Sequence, residues 1–79
     1  MLSTIPPIKT AAELKMGEVA TILSIKPTEL SIKLIQMGFL PQKKIRLVRT
    51  TITGNPLYIQ LGEQYIALRK EEAALLIIQ

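Results

Sequence analysis

The sequence predicts a small, closed, mostly-β barrel with one main helix, and three observations carry that prediction. Apolar residues recur with a period of two in Lys44-Ile45-Arg46-Leu47 and again in Leu57-Tyr58-Ile59-Gln60-Leu61. One segment alone has helical spacing, with Leu30, Leu34 and Met37 at i, i+4 and i+7. Glycines at 17, 38, 54 and 62 punctuate the chain into short pieces. Such pieces cannot bury their apolar faces in a flat sheet, whereas closure covers the faces and removes most edges.

Taken in order, Pro6-Pro7 fits neither a helix interior nor a central strand, so residues 1–9 read as a flexible arm and 10–79 as the single domain. Thr10-Ala11-Ala12-Glu13 has the form of a capping box, and Gly17 ends the short turn it opens. Glu18 to Ile25 reads as a strand with Ala20 and Ile22 on one face; Leu23 and Ile25 break the alternation, which a bulge or two-sided burial would absorb. Pro27-Thr28-Glu29 opens the main helix, spanning about 28–37, and Gly38 stops it. Phe39-Leu40-Pro41 leaves as an apolar turn. A strand follows in which Ile45 and Leu47 face one way, Lys44 and Arg46 the other. Thr53-Gly54-Asn55-Pro56 is a turn by composition, and Gly62-Glu63-Gln64 is a tight hairpin connection. Between them Leu57, Ile59 and Leu61 face inward, and Tyr65 to Leu68 forms the next strand with Ile66 and Leu68 inward. Lys70 to Ala74 has the composition of one helical turn, and Leu75 to Ile78 is the last strand. Five strands and one helix of this length make an SH3-like barrel the natural solution.

Composition removes whole classes of chemistry. The chain has no Cys, no His and no Asp, so disulfides, thiolate sites and the ordinary zinc, iron and copper ligand sets cannot be assembled. Neither a cofactor nor a metal site is expected. No side chain titrates near neutrality, and no glycine-rich phosphate loop is present. Glu71 and Glu72 are adjacent, so on a helix their side chains diverge by ~100° and read as a solvated turn rather than an acid–base pair. No catalytic residue is expected, and the chain reads as a non-enzyme. The N-terminus has no signal-peptide pattern, and the longest apolar run, Ala73 to Ile78, falls far short of the ~20 residues that span a bilayer. A cytoplasmic protein without membrane insertion is the expectation.

The net charge of +4 is unevenly placed, with Lys26, Lys33, Lys43, Lys44, Arg46 and Arg49 in the middle of the chain against Glu29 alone. Such a face attracts an acidic partner, or serves only as a solvated basic strand. Surfaces that bind single-stranded nucleic acid interleave bases' stacking partners with cations. Phe39, Tyr58 and Tyr65 all lie outside the Lys43–Arg49 strand, so no nucleic-acid partner is expected.

Several stretches together resemble the ferrous iron transport protein A (FeoA) family. Lys33 through Pro41 resembles its helix and exit turn, and Gly54-Asn55-Pro56 its Gly-Asp-Pro turn. Ala67-Leu68-Arg69, Ala73, Ala74 and Ile77 resemble its C-terminal signature, and Leu14, Gly17 and Ile22 agree in spacing. The resemblance covers roughly residues 10 to 78. It implies an SH3-like barrel in the bacterial cytoplasm whose partner is the ferrous iron permease FeoB, through that permease's cytoplasmic GTPase domain. Three positions depart from the pattern: Asn55 stands for Asp, Gln42 for Gly and Lys33 for Arg. Asn55 can still hold a turn through its side chain, while Gln42 suggests a turn with no need of positive φ.

The function expected on this basis is that of a non-catalytic accessory or regulatory protein of ferrous iron uptake. The candidate contact residues are Phe39, Leu40 and Pro41 together with Lys44, Arg46 and Arg49, and Gly54-Asn55-Pro56 is a structural turn. The apolar exit turn has an equal alternative, a staple packing the helix onto the barrel. A homo-oligomer is compatible with the sequence. The second reading is the SH3-like module at the C-terminus of iron- and manganese-dependent repressors, or a nucleic-acid-binding barrel; the absence of preceding DNA-binding helices favours transport.

Overall fold

The period-two segments pair into one antiparallel sheet in the computed structural model, which describes residues 8–79. The strands are β1 (Lys9–Thr10), β2 (Val19–Ile25), β3 (Lys44–Thr50), β4 (Leu57–Leu61), β5 (Gln64–Leu68) and β6 (Leu76–Ile78). A 3-10 turn spans Ala11–Glu13, and two helices, α1 (Ser31–Gln36) and α2 (Lys70–Ala73), interrupt them. The sheet order is β1-β6-β2-β3-β4-β5. The inward residues of every strand from β2 to β6 converge with Leu34 and Phe39 on one core, which includes Ile22, Ile45, Leu47, Ile59, Leu68 and Leu76. No helix of the described residues is long and apolar enough to cross a membrane.

The sheet has six strands where five are expected. The additional one pairs Lys9 with Ile78 and Thr10 with Ile77. Residues 1–7 of the expected arm lie outside the described residues; its last residue, Lys9, is strand-paired and forms an ion pair with the Glu18 carboxylate. The expected capping box forms, with the Thr10 N–H donating to Glu13 Oε2 at 2.9 Å. The broken alternation in β2 resolves as a bulge between Ile22 and Ser24, which leaves Leu23 exposed.

The main helix is shorter than the expected span of 28–37. Thr28 stays outside the helix and bonds locally instead: the Leu30 N–H donates to Thr28 Oγ1 at 3.1 Å, and the Oγ–H of Ser31, the first helical residue, donates to the Thr28 carbonyl at 2.6 Å. Side chains that offer the backbone such partners delay helix entry. Leu30 is consequently left 41% exposed, and Leu34 is the stripe residue that fills the core.

The helix ends in a Schellman motif. The Phe39 N–H donates to the Leu34 carbonyl at 3.0 Å and the Gly38 N–H to the Ile35 carbonyl at 2.9 Å, with Gly38 at φ 101°. The hydrophobic contact that accompanies this motif joins the same two positions, and Leu34 and Phe39 are both fully buried. Phe39 is thus a core residue, correcting its expected place on an exposed contact turn.

The next turn corrects a second expectation. Gln42 adopts φ 76°, the one positive value at a non-glycine among the described residues. The Lys43 N–H donates to the Leu40 carbonyl at 3.1 Å, closing a turn with Pro41 at its second position and Gln42 at its third. A type II turn requires positive φ at that third position whatever residue occupies it. The Gln42 N–H also donates to the Ile22 carbonyl at 2.7 Å, so the turn is anchored to β2 and cannot relax alone.

Glu72 likewise is no solvated residue. It is 4% exposed, accepts a hydrogen bond from Lys33 Nζ at 2.6 Å, and accepts another from the Arg69 N–H at 2.9 Å. It thereby caps α2 and joins it to α1. The Lys33 ammonium holds the Glu72 carboxyl below the usual carboxylate range, against the opposing effect of burial and with help from the Arg69 N–H.

Two predictions follow from this geometry. Gln42→Gly relieves a left-handed side-chain conformation and is expected to stabilise the fold by ~1 kcal/mol, read as a raised melting temperature. A lowered one would refute the strain. The depressed carboxylate of Glu72 adds stability that is present above its unfolded pKa of ~4.3 and is lost as pH falls through its lower folded value. Lys33→Met is therefore expected to shallow the acid limb of the stability–pH curve, measured by thermal melting from neutral to acid pH.

Candidate partner-binding surface

Strict alternation in β3 would put Arg49 on the inner face with Ile45 and Leu47. The structure avoids this with a bulge. Leu47 pairs with Ile59 and Arg49 with Tyr58, so Val48 is the extra residue and Arg49 turns outward. Lys44, Arg46 and Arg49 thus lie together on the outer surface of β3, all exposed. Their cross-strand neighbours build the rest of the face. Val19 and Gln60 flank Arg46 on either side, and the Arg49 guanidinium stands 5.6 Å from the centroid of the Tyr58 ring. That contact orients a long cation and is worth ~0.5–1 kcal/mol at an exposed site.

Two shallow clefts adjoin these cations. One of 380 Å³ is lined by Gly38, Lys43, Lys44, Leu61 and Gly62. Its neighbour of 240 Å³ is lined by Val19, Lys44, Ile45, Arg46, Gln60 and Gly62. Neither lining contains a carboxylate. Half of the glutamates are engaged elsewhere: Glu13 with the Thr10 N–H, Glu18 with Lys9 and the Lys15 N–H, and Glu72 with Lys33. The Lys9 hydrogen bond in particular holds the Glu18 carboxyl below its ordinary range. Among the described residues, Lys43, Lys44, Arg46 and Arg49 form no ion pair, so the face keeps its positive field.

The exit turn divides. Phe39 is buried, whereas Leu40 is 39% exposed and Pro41 is exposed beside the Lys43–Lys44 end of the cleft. Ile32 and Ile35 of α1 are also exposed. The Gly54-Asn55-Pro56 turn is bound into the fold: Asn55 Oδ1 accepts from the Lys70 N–H at 3.1 Å, at the start of α2. Its backbone carbonyl accepts from Thr51 Oγ1 at 2.8 Å.

Sequence reasoning missed Tyr58, Tyr65, Gln60 and Val19. Tyr58 and Tyr65 occupy the outward face because they alternate with inward Leu57, Ile59 and Ile66. The signal was the outward parity of β4 and β5, which places Tyr58 beside Arg49 of β3 and Tyr65 one strand further, beside Gln60.

The donor set does not fit a metal. Glu is the only acidic side chain and neither His nor Cys exists, and no group of three acidic ligands converges among the described residues. Zinc and ferrous iron sites are built from imidazole, thiolate and clustered carboxylate.

A family profile described as the FeoA domain matches residues 9–79. Among solved structures, zinc-complexed FeoA of Stenotrophomonas maltophilia, a prokaryotic SH3 domain protein, is 26% identical with a TM-score of 0.82, over 90% of this chain and 89% of that one. Iron(II) transport protein A of Clostridium thermocellum is 33% identical with a TM-score of 0.84, over 90% of this chain and 44% of that one. A manganese-dependent transcriptional repressor shares the fold at 11% identity and a TM-score of 0.82, over 96% of this chain and 38% of that one. The search of curated proteins found no match. The barrel is therefore SH3-like, as the strand pattern predicts.

The donor set sets an expectation for metals. Calorimetric titration of the purified protein with Fe²⁺ under reducing conditions, and with Zn²⁺, is expected to show no stoichiometric site of micromolar strength. A saturable site that survives moderate salt would refute it.

Proposed function

Because the chain belongs to the FeoA domain family, we propose that it is an accessory factor of ferrous iron transport that works by docking rather than by catalysis. Its partner in this reading is the cytoplasmic GTPase domain of the ferrous iron permease. The observation that carries the reading is the uncompensated basic face of β3, set beside a cleft that contains no acid. Arg46 and Arg49 supply forked donors to carboxylates, and Lys43 and Lys44 supply point charges at the cleft mouth. Leu40 and Pro41 give the contact an apolar border next to them. The S. maltophilia relative is described as a candidate ferrous iron transport activating factor, which agrees with a role in transport.

A docking face of this kind acts chiefly on encounter. Complementary potentials raise association rates and suppress wrong partners more than they deepen final affinity. In this reading the protein finds one acidic surface and holds it through a small apolar contact.

A second reading has an observation of its own. Tyr58 and Tyr65 share the outer face with the three cations, which is the combination that stacks and neutralises single-stranded nucleic acid. A nucleic-acid control therefore belongs in the test.

Arg46→Glu with Arg49→Glu is expected to slow association with the permease's cytoplasmic domain by about tenfold at low salt and to flatten its salt dependence. Both side chains are exposed, so the melting curve is expected to change little. Association unchanged at two ionic strengths would overturn the basic-face reading. Tight binding of the parent to a single-stranded oligonucleotide, lost in the variant, would favour the second one.

A further inference from the structure

The two edges of the sheet differ in how they are protected. β1 is two residues long and carries Lys9, which is the usual way of blunting an edge. β5 is five residues long, Gln-Tyr-Ile-Ala-Leu, with no charge and no proline. Among the described residues it pairs with β4 alone.

Its free groups can be assigned from the hairpin. A two-residue loop, Gly62-Glu63, joins Leu61 to Gln64, with Gly62 at φ 62° in the first loop position. The pair flanking such a loop exchanges hydrogen bonds, so Gln64, Ile66 and Leu68 direct their main-chain groups toward β4. The N–H and C=O of Tyr65 and Ala67 consequently point away from the sheet. The side chains of these two residues are exposed on the outer face.

We propose that β5 pairs antiparallel with β5 of a second copy of this chain, about a two-fold axis through Ile66, giving a homodimer with one continuous sheet. The strand's sequence favours this occupant because it is complementary to itself in that register. Tyr65 lies opposite Ala67 of the other copy, so a large ring meets a methyl, and both residues exchange main-chain hydrogen bonds. Glu63 lies opposite Arg69 of the other copy, twice by symmetry. The Arg69 main chain is committed to α2, with its N–H on Glu72 and its carbonyl accepting from the Glu72 and Ala73 N–H groups. The strand pairing therefore ends at Leu68 and leaves the Arg69 side chain to reach Glu63. The pairing also joins the two basic faces, with the β3 strands roughly 24 Å apart, five strand spacings.

The full chain is expected to sediment as a concentration-dependent monomer–dimer equilibrium that weakens as salt rises. Ala67→Pro removes an outward N–H without touching the β4 ladder and is expected to weaken the dimer by more than tenfold while the monomer melts as before. The chain contains no cysteine, so the register can be read directly. A mixture of Tyr65→Cys and Ala67→Cys proteins is expected to form a disulfide-linked dimer under mild oxidation faster than either alone. Opposed residues in such a ladder lie ~5.5 Å apart between Cα atoms, within disulfide reach. A parent that stays monomeric over the whole concentration range, a dimer indifferent to Ala67→Pro, or cross-linking no faster in the mixture would each overturn the proposal. Should Ala67→Pro fail to fold, the cysteine mixture decides alone.

Discussion

The hydrogen bonds that end α1 send the chain back into the core at Phe39, and the placement of the outer surface depends on that reversal. Phe39 and Leu34 form the plug of the curled sheet, so the residues after Phe39 have only one way out. Leu40 and Pro41 emerge at the surface, Gln42 takes a left-handed backbone, and its N–H reaches the Ile22 carbonyl. That bond fixes where β3 starts against β2. The positions of Lys43, Lys44 and Arg46 are set from there. A side chain with no solvent contact thus decides where three cations stand.

The charge pattern of the folded chain is sharper than the net value suggests. The acids that fold the protein sit in local structure, capping a 3-10 turn, closing the turn before β2, and seating α2 on α1. Each is paired within its own turn or with a neighbouring element. The cations of β3 have no such role. A sequence of modest overall charge therefore concentrates unpaired cations on one face.

The strands were legible because period-two patterning survives in a barrel buried on one side, as Ile45, Leu47, Ile59 and Leu68 show. The start of the helix was not, because Thr28 has helix-compatible spacing but its side chain and carbonyl bond to Leu30 and Ser31 locally instead. Gln42 misled for a related reason: its identity argues against positive φ, yet Pro41 ahead of it selects the turn that demands it. Phe39 fitted an exposed contact and a packing staple equally, because sequence spacing does not reveal the buried contact of a helix-ending motif. Arg49 was placed outward with Arg46 although simple alternation forbids it. Only the register shift at Val48, which leaves no mark in composition, makes both true. The neighbours Tyr58 and Tyr65 belong to the same class, since cross-strand proximity depends on register rather than on distance along the chain.

The position of β6 bears on how the protein is made. Last in sequence among the strands, it lies inside the sheet, hydrogen-bonded to β1 on one side and to β2 on the other. A growing chain that has released everything up to β5 can form the β2–β5 meander, but it still lacks the strand that joins β1 to it. Leu76 and Ile78, two of the buried core residues, arrive with that strand. Until then the edge of β2 that faces away from β3 has no partner, and the loop to be closed is long. Folding on the ribosome therefore waits for the end of the domain to clear the exit tunnel, and any protein joined after β6 sits directly beside the final closure step.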